Sequence, residues 1–314
     1  MVGRVMFDLI GDIHGHADEL VQLLNVLGYQ QVHGTYRHPE RKVIFLGDLI
    51  DRGRQIREVL EIARGMVEGH SALAILGNHE WNAMAFHTID PEHPGEFLRR
   101  HTTHNCHQIS KTLEQLSEGD LRSYLDWFHT LPIWLDLEGL RVVHACWDAS
   151  SIEILDQALQ AAGGITTRFL QSACRRKSEL FSAVESVLKG KEAPLPEGVV
   201  FHDKDGSERK RVRTRWYLSP DGHTYQSYAF ETAGIDCPHP LHPPVISDAI
   251  PYPETAKPVF IGHYWQGDQH PSILADNVAC LDFSVAKGGF LCAYRWNGEQ
   301  KLCNSHFVTA KNNR

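Results

Sequence analysis

The seven cysteines of this 314-residue sequence are odd in number, scattered, and include no Cys-x-x-Cys pair. That argues against a disulfide framework or a zinc ribbon and for reduced, buried thiols. No apolar run approaches the roughly 18 residues needed to span a bilayer. The opening stretch Met1–Ile10 carries Asp8 and lacks a signal-peptide core and small-residue cleavage site. No membrane partner is indicated, and the chain reads as cytoplasmic. Lysine and arginine form no long block, and the formal net charge is −8. An obvious nucleic-acid groove is thereby excluded, while a few basic residues can still hold one phosphate inside a pocket. No repeat of solenoid period is visible. What remains is an ordinary globular composition, read as a single domain over residues 1–314.

The chain does have a repeated plan. A strand at Val5–Ile10 leads through Gly11-Asp12-Ile13-His14-Gly15 to a helix at Ala17–Leu27, apolar at Leu20, Val21, Leu23, Leu24 and Leu27, with Asp18 and Glu19 in its first turn. The second unit runs from strand Val43–Leu46 through Gly47-Asp48-Leu49-Ile50-Asp51-Arg52-Gly53 to a helix at Ile56–Val67. Its apolar positions are Ile56, Val59, Leu60, Ala63 and Val67. A third strand, Ala72–Leu76, ends in Gly77-Asn78-His79-Glu80 before a helical stretch at Trp81–Phe86. This alternation predicts a layered α/β fold whose strand ends converge on one edge, where such sheets place ligands.

Residues 88–130 read as a polar helical insertion with Leu121, Tyr124, Leu125 and Phe128 as its best apolar face. Strand Leu140–Val143 ends in His144-Ala145-Cys146-Trp147, and helices at Ser151–Ala162 and Arg175–Leu188 flank the Gly163-Gly164 break. Residues 189–257 form a proline-rich insertion with an expected hairpin over Arg211–Tyr228, turning at Pro220-Asp221-Gly222. A segment this long is expected to be a lid or a binding element. Strands return at Val259–Ile261, which runs into Gly262-His263, and at Val278–Leu281 and Gly289–Trp296.

The loops carry the chemistry. Asp12 and His14 alternate after the first strand, Asp48 closes the second, Asn78 the third, His144 the fourth and His263 a later one. Oxygen and imidazole donors in this mixture suit manganese, iron or zinc and do not favour calcium. Six candidate ligands exceed one tetrahedral site. A carboxylate shared by two divalent ions about 3.5 to 4 Å apart accounts for the surplus, with manganese the first candidate.

The order Gly-Asp-x-His-Gly, Gly-Asp-x-x-Asp-Arg-Gly, Gly-Asn-His-Glu, then two strand-end histidines, resembles the calcineurin-like metallophosphoesterases, and more narrowly their phosphoprotein-phosphatase branch. The likeness runs from about Val5 to Tyr294, with both insertions outside it. It implies a central β-sandwich flanked by helices. It also implies that Asp12, His14 and Asp48 bind one metal and that Asp48, Asn78, His144 and His263 bind the other. A hydroxide bridging the two ions would then attack phosphorus in line. Arg52 is the bidentate clamp for the phosphoryl oxygens, alongside Asn78, while His79 protonates the leaving oxygen and Asp51 orients His79. The run Gly262-His263-Tyr264-Trp265 lacks the Gly-His-x-His ending of many cyclic-nucleotide and nuclease members. One metal is left with three protein ligands and water, which is similar to serine/threonine phosphatases and symmetrical diadenosine tetraphosphatases. The run from Leu281-Asp282 to Leu291 is also similar to the tetraphosphatase terminus. Those families generally carry glycine where Cys146 stands, so Cys146 and Trp147 are expected to reshape the pocket wall.

Plainer readings compete at each position. Asp12, Asp48 and Asn78 can cap helices, and His144 or His263 can be core histidines, but three loops together with two strand-end histidines favour a metal centre. His101, His104, Cys106 and His107 read as a solvated helix face rather than a zinc site, and His239 and His242 likewise. Arg211, Arg213 and Arg215 alternate as on a strand edge. Alternatively, Arg213 or Arg215 reaches the pocket as a second phosphate clamp. Trp216 and Tyr217 either stack on a leaving group or pack the hairpin. The expected activity is two-metal hydrolysis of a phosphomonoester, on a phosphoprotein, a small molecule or a nucleotide. Hydrolysis of a dinucleoside polyphosphate is the alternative, and a catalytically silent scaffold the reading from another class.

Overall fold

The structure, a computed structural model, describes residues 6–202, 208–230, 235–247, 249–267 and 270–310. Val5, the expected start of the first strand, lies outside them. Nine strands build two sheets: β1 Met6–Ile10, β2 Arg41–Phe45, β3 Ala72–Ala74, β4 Trp134–Asp136, β5 Arg141–Val143, β6 Val259–Ile261, β7 Val278–Cys280, β8 Leu291–Trp296 and β9 Phe307–Ala310. The first sheet has the order β9-β8-β1-β2-β3 and the second β7-β6-β5-β4. Strands β1, β2 and β3 are parallel, with Leu9 opposite Ile44 and Phe45 opposite Ala74. In the second sheet β5, β6 and β7 are parallel. Antiparallel strands β8 and β4 flank these two parallel sets.

The sheets face each other. Leu9, Ile44 and Ile75 of one pack with Val142, Phe260 and Ala279 of the other in a single buried cluster. The opposite face of the first sheet, with Ile10, Val43 and Phe45, packs in a second core with helices α1 Ala17–Val26 and α2 Ile56–Glu68. Strands covered on both faces must be apolar throughout, which is why they read as continuous hydrophobic runs. Asp8 is the exception inside β1. Its buried carboxylate accepts from Arg41 Nε at 2.9 and 3.0 Å, Arg295 Nε at 3.0 Å and Tyr29 Oη at 3.1 Å. On α2 the buried stripe is Ile56, Val59, Leu60, Ala63 and Met66, so Met66 takes the inward place expected for Val67.

Helix α3, Asn78–His87, starts at the candidate ligand itself. Helices α4 Thr103–Gln115 and α5 Glu118–Phe128 follow within residues 88–130, then α6 Ala149–Ala162, α7 Thr167–Ala173 and α8 Glu179–Lys189. Strand β4 and helix α7 were not anticipated, since elements of three and seven residues are too short to show a period.

The expected hairpin over Arg211–Tyr228 keeps its turn at Pro220 and one antiparallel bridge at its base, Thr214 to Ala229, but no second strand. Arg211–Arg213 pairs antiparallel with Glu192–Pro194. Past the turn at Asp221-Gly222, a capping box of Thr224 and Ser227 starts a short helix, Tyr225–Tyr228. Local hydroxyl caps satisfy backbone donors there that a second strand would have left to a ladder. The segment has a small core of its own around Val212, Tyr225, Tyr228 and Leu241. It is pinned to the body by Trp216, whose Nε1 donates to Ala145 O at 3.2 Å, and by the stacked rings of Phe230 and Tyr264 at 3.8 Å. Trp216 and Tyr217 are therefore packing residues, both buried. No described helix is long and apolar enough to cross a membrane.

Candidate metal centre

Six parallel strand ends deliver one set of side chains. Asp12 and His14 follow β1, Asp48 follows β2, Asn78 and His79 follow β3, His144 follows β5, His263 follows β6, and Asp282 follows β7. The backbone pays for this convergence: His14, Asp48, Asp51, Arg52 and His263 all hold φ between +46° and +69°. Side chains other than glycine adopt that region at a cost of about 1–3 kcal/mol each, and such strain gathers at functional sites. Two glycines allow the crowding. A Cβ on Gly77 would lie 2.2 Å from Asp48 Oδ1, and one on Gly262 would lie 2.1 Å from Asp12 Oδ1.

The imidazoles are oriented from behind. His14 Nδ1–H donates to Ile50 O at 2.8 Å and His144 Nδ1–H to Leu46 O at 2.7 Å, so both turn Nε2 inward. His14 Nε2 then lies 3.5 Å from Asp48 Oδ2. His144 Nε2 lies 3.4 Å from Asp48 Oδ1 and 3.1 Å from Asn78 Oδ1. His263 Nδ1 lies 2.7 Å from the same amide oxygen, while its Nε2 is buried without a partner. Two groups able to hold an ion result, His14-Asp48-His79 and Asp48-His144-His263, and Asp48 is in both. Asp12 joins neither group. Its carboxylate accepts the His263 amide at 3.1 and 3.2 Å.

Lone pairs of imidazole, amide and carboxylate thus face one another in a buried space, an arrangement that demands positive charge. Where no cation is bound, protons must supply it. Burial works against a charged His144, yet Asp48 and Asp12 push its pKa up to about 10. Burial works against the Asp48 carboxylate, but His144, His79 and His14 hold it well below the usual range. Burial and neighbouring Asp282 raise Asp12 well above that range. The donor set therefore fits two divalent cations sharing Asp48.

His79, a member of the first group, also has a carboxylate of its own. Since a carboxylate can only accept, His79 Nδ1–H donates to Asp51 Oδ2, at 2.6 Å, and Nε2 points to within 3.8 Å of Asp48 Oδ2. Burial lowers its pKa, but Asp48 and Asp51 outweigh that and raise it. Arg52 is exposed at the mouth, its guanidinium carbon 4.8 Å from the Trp265 ring centroid, and Lys287 Nζ lies at the same distance from that ring. The charge of Arg213 lowers the pKa of His263, after burial. Arg215 is turned away, its Nε donating to Ala229 O at 3.0 Å. Of the expected Cys146-Trp147 wall, Trp147 lies under the Arg141 guanidinium at 4.6 Å, and both residues are buried. His101 is stacked between Phe86 and Phe97, at 3.8 and 4.2 Å.

The profile of the family described as calcineurin-like phosphoesterase matches residues 6–183, more than half of the chain. The chain belongs to the calcineurin-like phosphoesterases. A bis(5'-nucleosyl)-tetraphosphatase described as symmetrical, from Vibrio campbellii, is 24% identical over 306 residues, covering 93% of this chain and 96% of its own. One described as asymmetrical, from Halalkalibacterium halodurans, is 43% identical over 76 residues, 24% of this chain and 31% of that protein. Of the first curated relatives it matches, this chain spans between 30% and 54% of the length. Among solved structures, a cold-active protein tyrosine phosphatase superposes with a TM-score of 0.54 at 18% identity, over 93% of this chain and 74% of that one. A protein serine/threonine phosphatase from Saccharomyces cerevisiae gives 0.50 at 13%, over 98% and 79%. Likeness at those identities shows the fold alone.

In this calcineurin-like phosphoesterase, four residues at the centre escaped the sequence reading. Glu80, fully buried, accepts the backbone N–H groups of Asp48, Leu49, Ile50 and Gly77 and so holds the Asp48 loop against the start of α3. Thr112 of α4 donates to Asp51, and the amide of Gln108 lies 3.4 Å from His79 Nε2. Asp282 is buried near Asp12, with Oδ2 unpartnered and its pKa pushed up to about 6, chiefly by burial. Asp282 carried a usable signal, an acid at the end of a strand. Glu80 stood in a quoted motif without a role.

Proposed function

We propose that the protein hydrolyses phosphate esters with two divalent cations, phosphomonoesters being the first class of substrate. The observation that carries this reading is the sharing of Asp48 between two donor groups, one of which includes His79, a histidine held by its own carboxylate. Asp12, His14 and Asp48 would hold one ion, and Asp48, Asn78, His144 and His263 the other. Manganese is the first candidate, with iron or zinc next. When bound, the ions supply Lewis acidity, acidifying water and neutralising phosphoryl oxygens.

The chain's own residues do the rest. Asp51 accepts from His79 Nδ1–H and stabilises the imidazolium, whose Nε2–H is the proton for the leaving oxygen, and the raised pKa of His79 keeps that form populated near neutrality. Arg52 and Arg213 offer guanidinium forks to the phosphoryl group. Residues 189–257, pinned by Trp216 and Phe230, act as an insertion that walls the site, and residues 88–130 as one that supports Asp51 through Thr112.

A second reading, hydrolysis of a dinucleoside polyphosphate, is favoured by the name of the Vibrio campbellii relative that aligns over nearly both whole chains. Turnover of p-nitrophenyl phosphate, bis-p-nitrophenyl phosphate and diadenosine tetraphosphate by metal-stripped and manganese-loaded protein separates the readings. Activity that returns with manganese is expected. No turnover of any of the three with two ions bound would refute the enzyme and leave a scaffold.

A further inference from the structure

Arg52, assigned above to the phosphoryl group, is an exposed residue whose backbone lies in the left-handed region, φ +66°. Its charge is felt by His79 and by the Asp282 carboxylate. Among the described residues its side chain nevertheless forms no hydrogen bond and no ion pair. What it meets is a ring: the guanidinium carbon lies over Trp265, 4.8 Å from the centroid. Lys287 Nζ lies over the same ring, also at 4.8 Å. Two cations drawn to one ring repel each other, and the negative face of an indole, the best of the aromatic side chains for holding a cation, offsets that repulsion.

The ring is itself firmly placed. Trp265 is half-buried, two residues past His263 on the loop after β6. On one side of it, buried Tyr264 donates its backbone N–H to Gly262 O at 2.6 Å and stacks on Phe230 at 3.8 Å. On the other, the Gln266 N–H donates to Asp282 O at 2.9 Å and its side-chain amide to Tyr264 O at 2.8 Å. We propose that Trp265 is the positioning residue for Arg52, its ring setting the guanidinium at the mouth of the centre before a phosphate arrives. A carboxylate could hold an arginine as firmly, but it would neutralise the charge and occupy the N–H groups that phosphate oxygens need. A ring supplies no acceptor oxygen, so the charge and the fork are left to the ligand.

The inference rests on the phosphoesterase reading, in which Arg52 clamps the phosphoryl group, and adds what sets that clamp. A long exposed side chain otherwise gives up its rotamer freedom at the moment of binding, and prior placement removes that cost from the affinity. A fork set in this way serves the ground state and the transition state alike. Loss of the ring should therefore appear in phosphate affinity and KM rather than in kcat.

Calorimetric titration of manganese-loaded protein with inorganic phosphate tests the placement without needing turnover. Trp265→Leu, which keeps apolar bulk but has no ring, should weaken phosphate binding about three- to tenfold, and Trp265→Phe should recover about half of that loss or more. KM for p-nitrophenyl phosphate should rise with it, and a fall in kcat at unchanged KM would overturn the proposal. In an Arg52→Ala background Trp265→Leu should add less than about twofold, because a ring that acts through the guanidinium then has nothing to hold. Phosphate binding by Trp265→Leu within about twofold of wild type, or the same loss with and without Arg52, overturns the proposal while leaving the clamp itself in place. Unchanged phosphate binding by Arg52→Ala alone overturns the clamp and the proposal together. Thermal melts and metal content check that each variant folds and loads, and if Trp265→Leu does not fold, Trp265→Gln decides by the same comparisons. Phosphate binding that depends on both residues in a protein that hydrolyses no phosphate ester would support the positioning and overturn only the enzyme reading.

Discussion

Replacing Glu80 by glutamine should unfold this protein far more readily than so small a change suggests. Glu80 Oε1 accepts the N–H groups of Leu49 and Ile50 at 2.8 and 3.3 Å, and Oε2 those of Asp48 and Gly77 at 2.8 and 2.9 Å. Glutamine turns one of those oxygens into an NH2, so two buried donors lose their acceptor and face a third donor. At about 1–3 kcal/mol for each orphaned buried donor, Glu80→Gln should cost about 2–6 kcal/mol. That is a large part of the roughly 5–15 kcal/mol by which a domain is usually stable. Urea unfolding of the metal-free protein measures it, the midpoint falling at an unchanged slope. Cation affinity should fall as well, because the clamp sets the Asp48 backbone. A loss below about 1 kcal/mol would refute the clamp.

Further substitutions separate the roles at the centre. Asp48→Asn should take the bound ions from two to fewer than one, read by elemental analysis, since both groups share that carboxylate. His79→Asn should keep both ions and lose about 100- to 10,000-fold in turnover; loss of an ion instead would make His79 a ligand. Burial, opposed by the Ser284 amide and helped by Asp48, sets Asp282 at about 6 against an ordinary 3.8. A folded-state pKa raised in this way means that the folded protein binds the proton more tightly than the unfolded chain does. Stability of the metal-free protein should therefore decline by about 3 kcal/mol as pH rises from about 4 through 6. Asp282→Asn should remove that decline in denaturant titrations across the range, and an unaltered slope would refute it. Arg213→Gln should raise KM for p-nitrophenyl phosphate about tenfold, whereas Arg215→Gln should leave KM alone and cost about 1 kcal/mol of stability, its bond to Ala229 O being lost.

The strand-loop-helix plan and most of the site could be read from the chain because both are local. Asp12, His14, Asp48, Asn78, His144 and His263 each stand at the end of an apolar strand, and parallel strands bring their ends to one edge whatever lies between. The alternation of elements likewise identified a layered α/β fold, here a sandwich of two sheets. The expected hairpin kept its turn and a bridge at its base but lost its second strand, because a capping box at Thr224 and Ser227 made a helix there.

Tertiary structure alone decided what the centre rests on and what surrounds it. Thr112 and Gln108 meet Asp51 and His79 across 61 and 29 residues of chain, and no periodicity in α4 announces which of its polar side chains turn inward. Arg213 and Arg215 are alike in sequence, two residues apart, and only the backbone carbonyl of Ala229 takes one of them away from the site. The chemistry of a ligand set travels with its residues. Which charges are left uncompensated depends on the distances between chain-distant groups, and those exist only once the chain has folded.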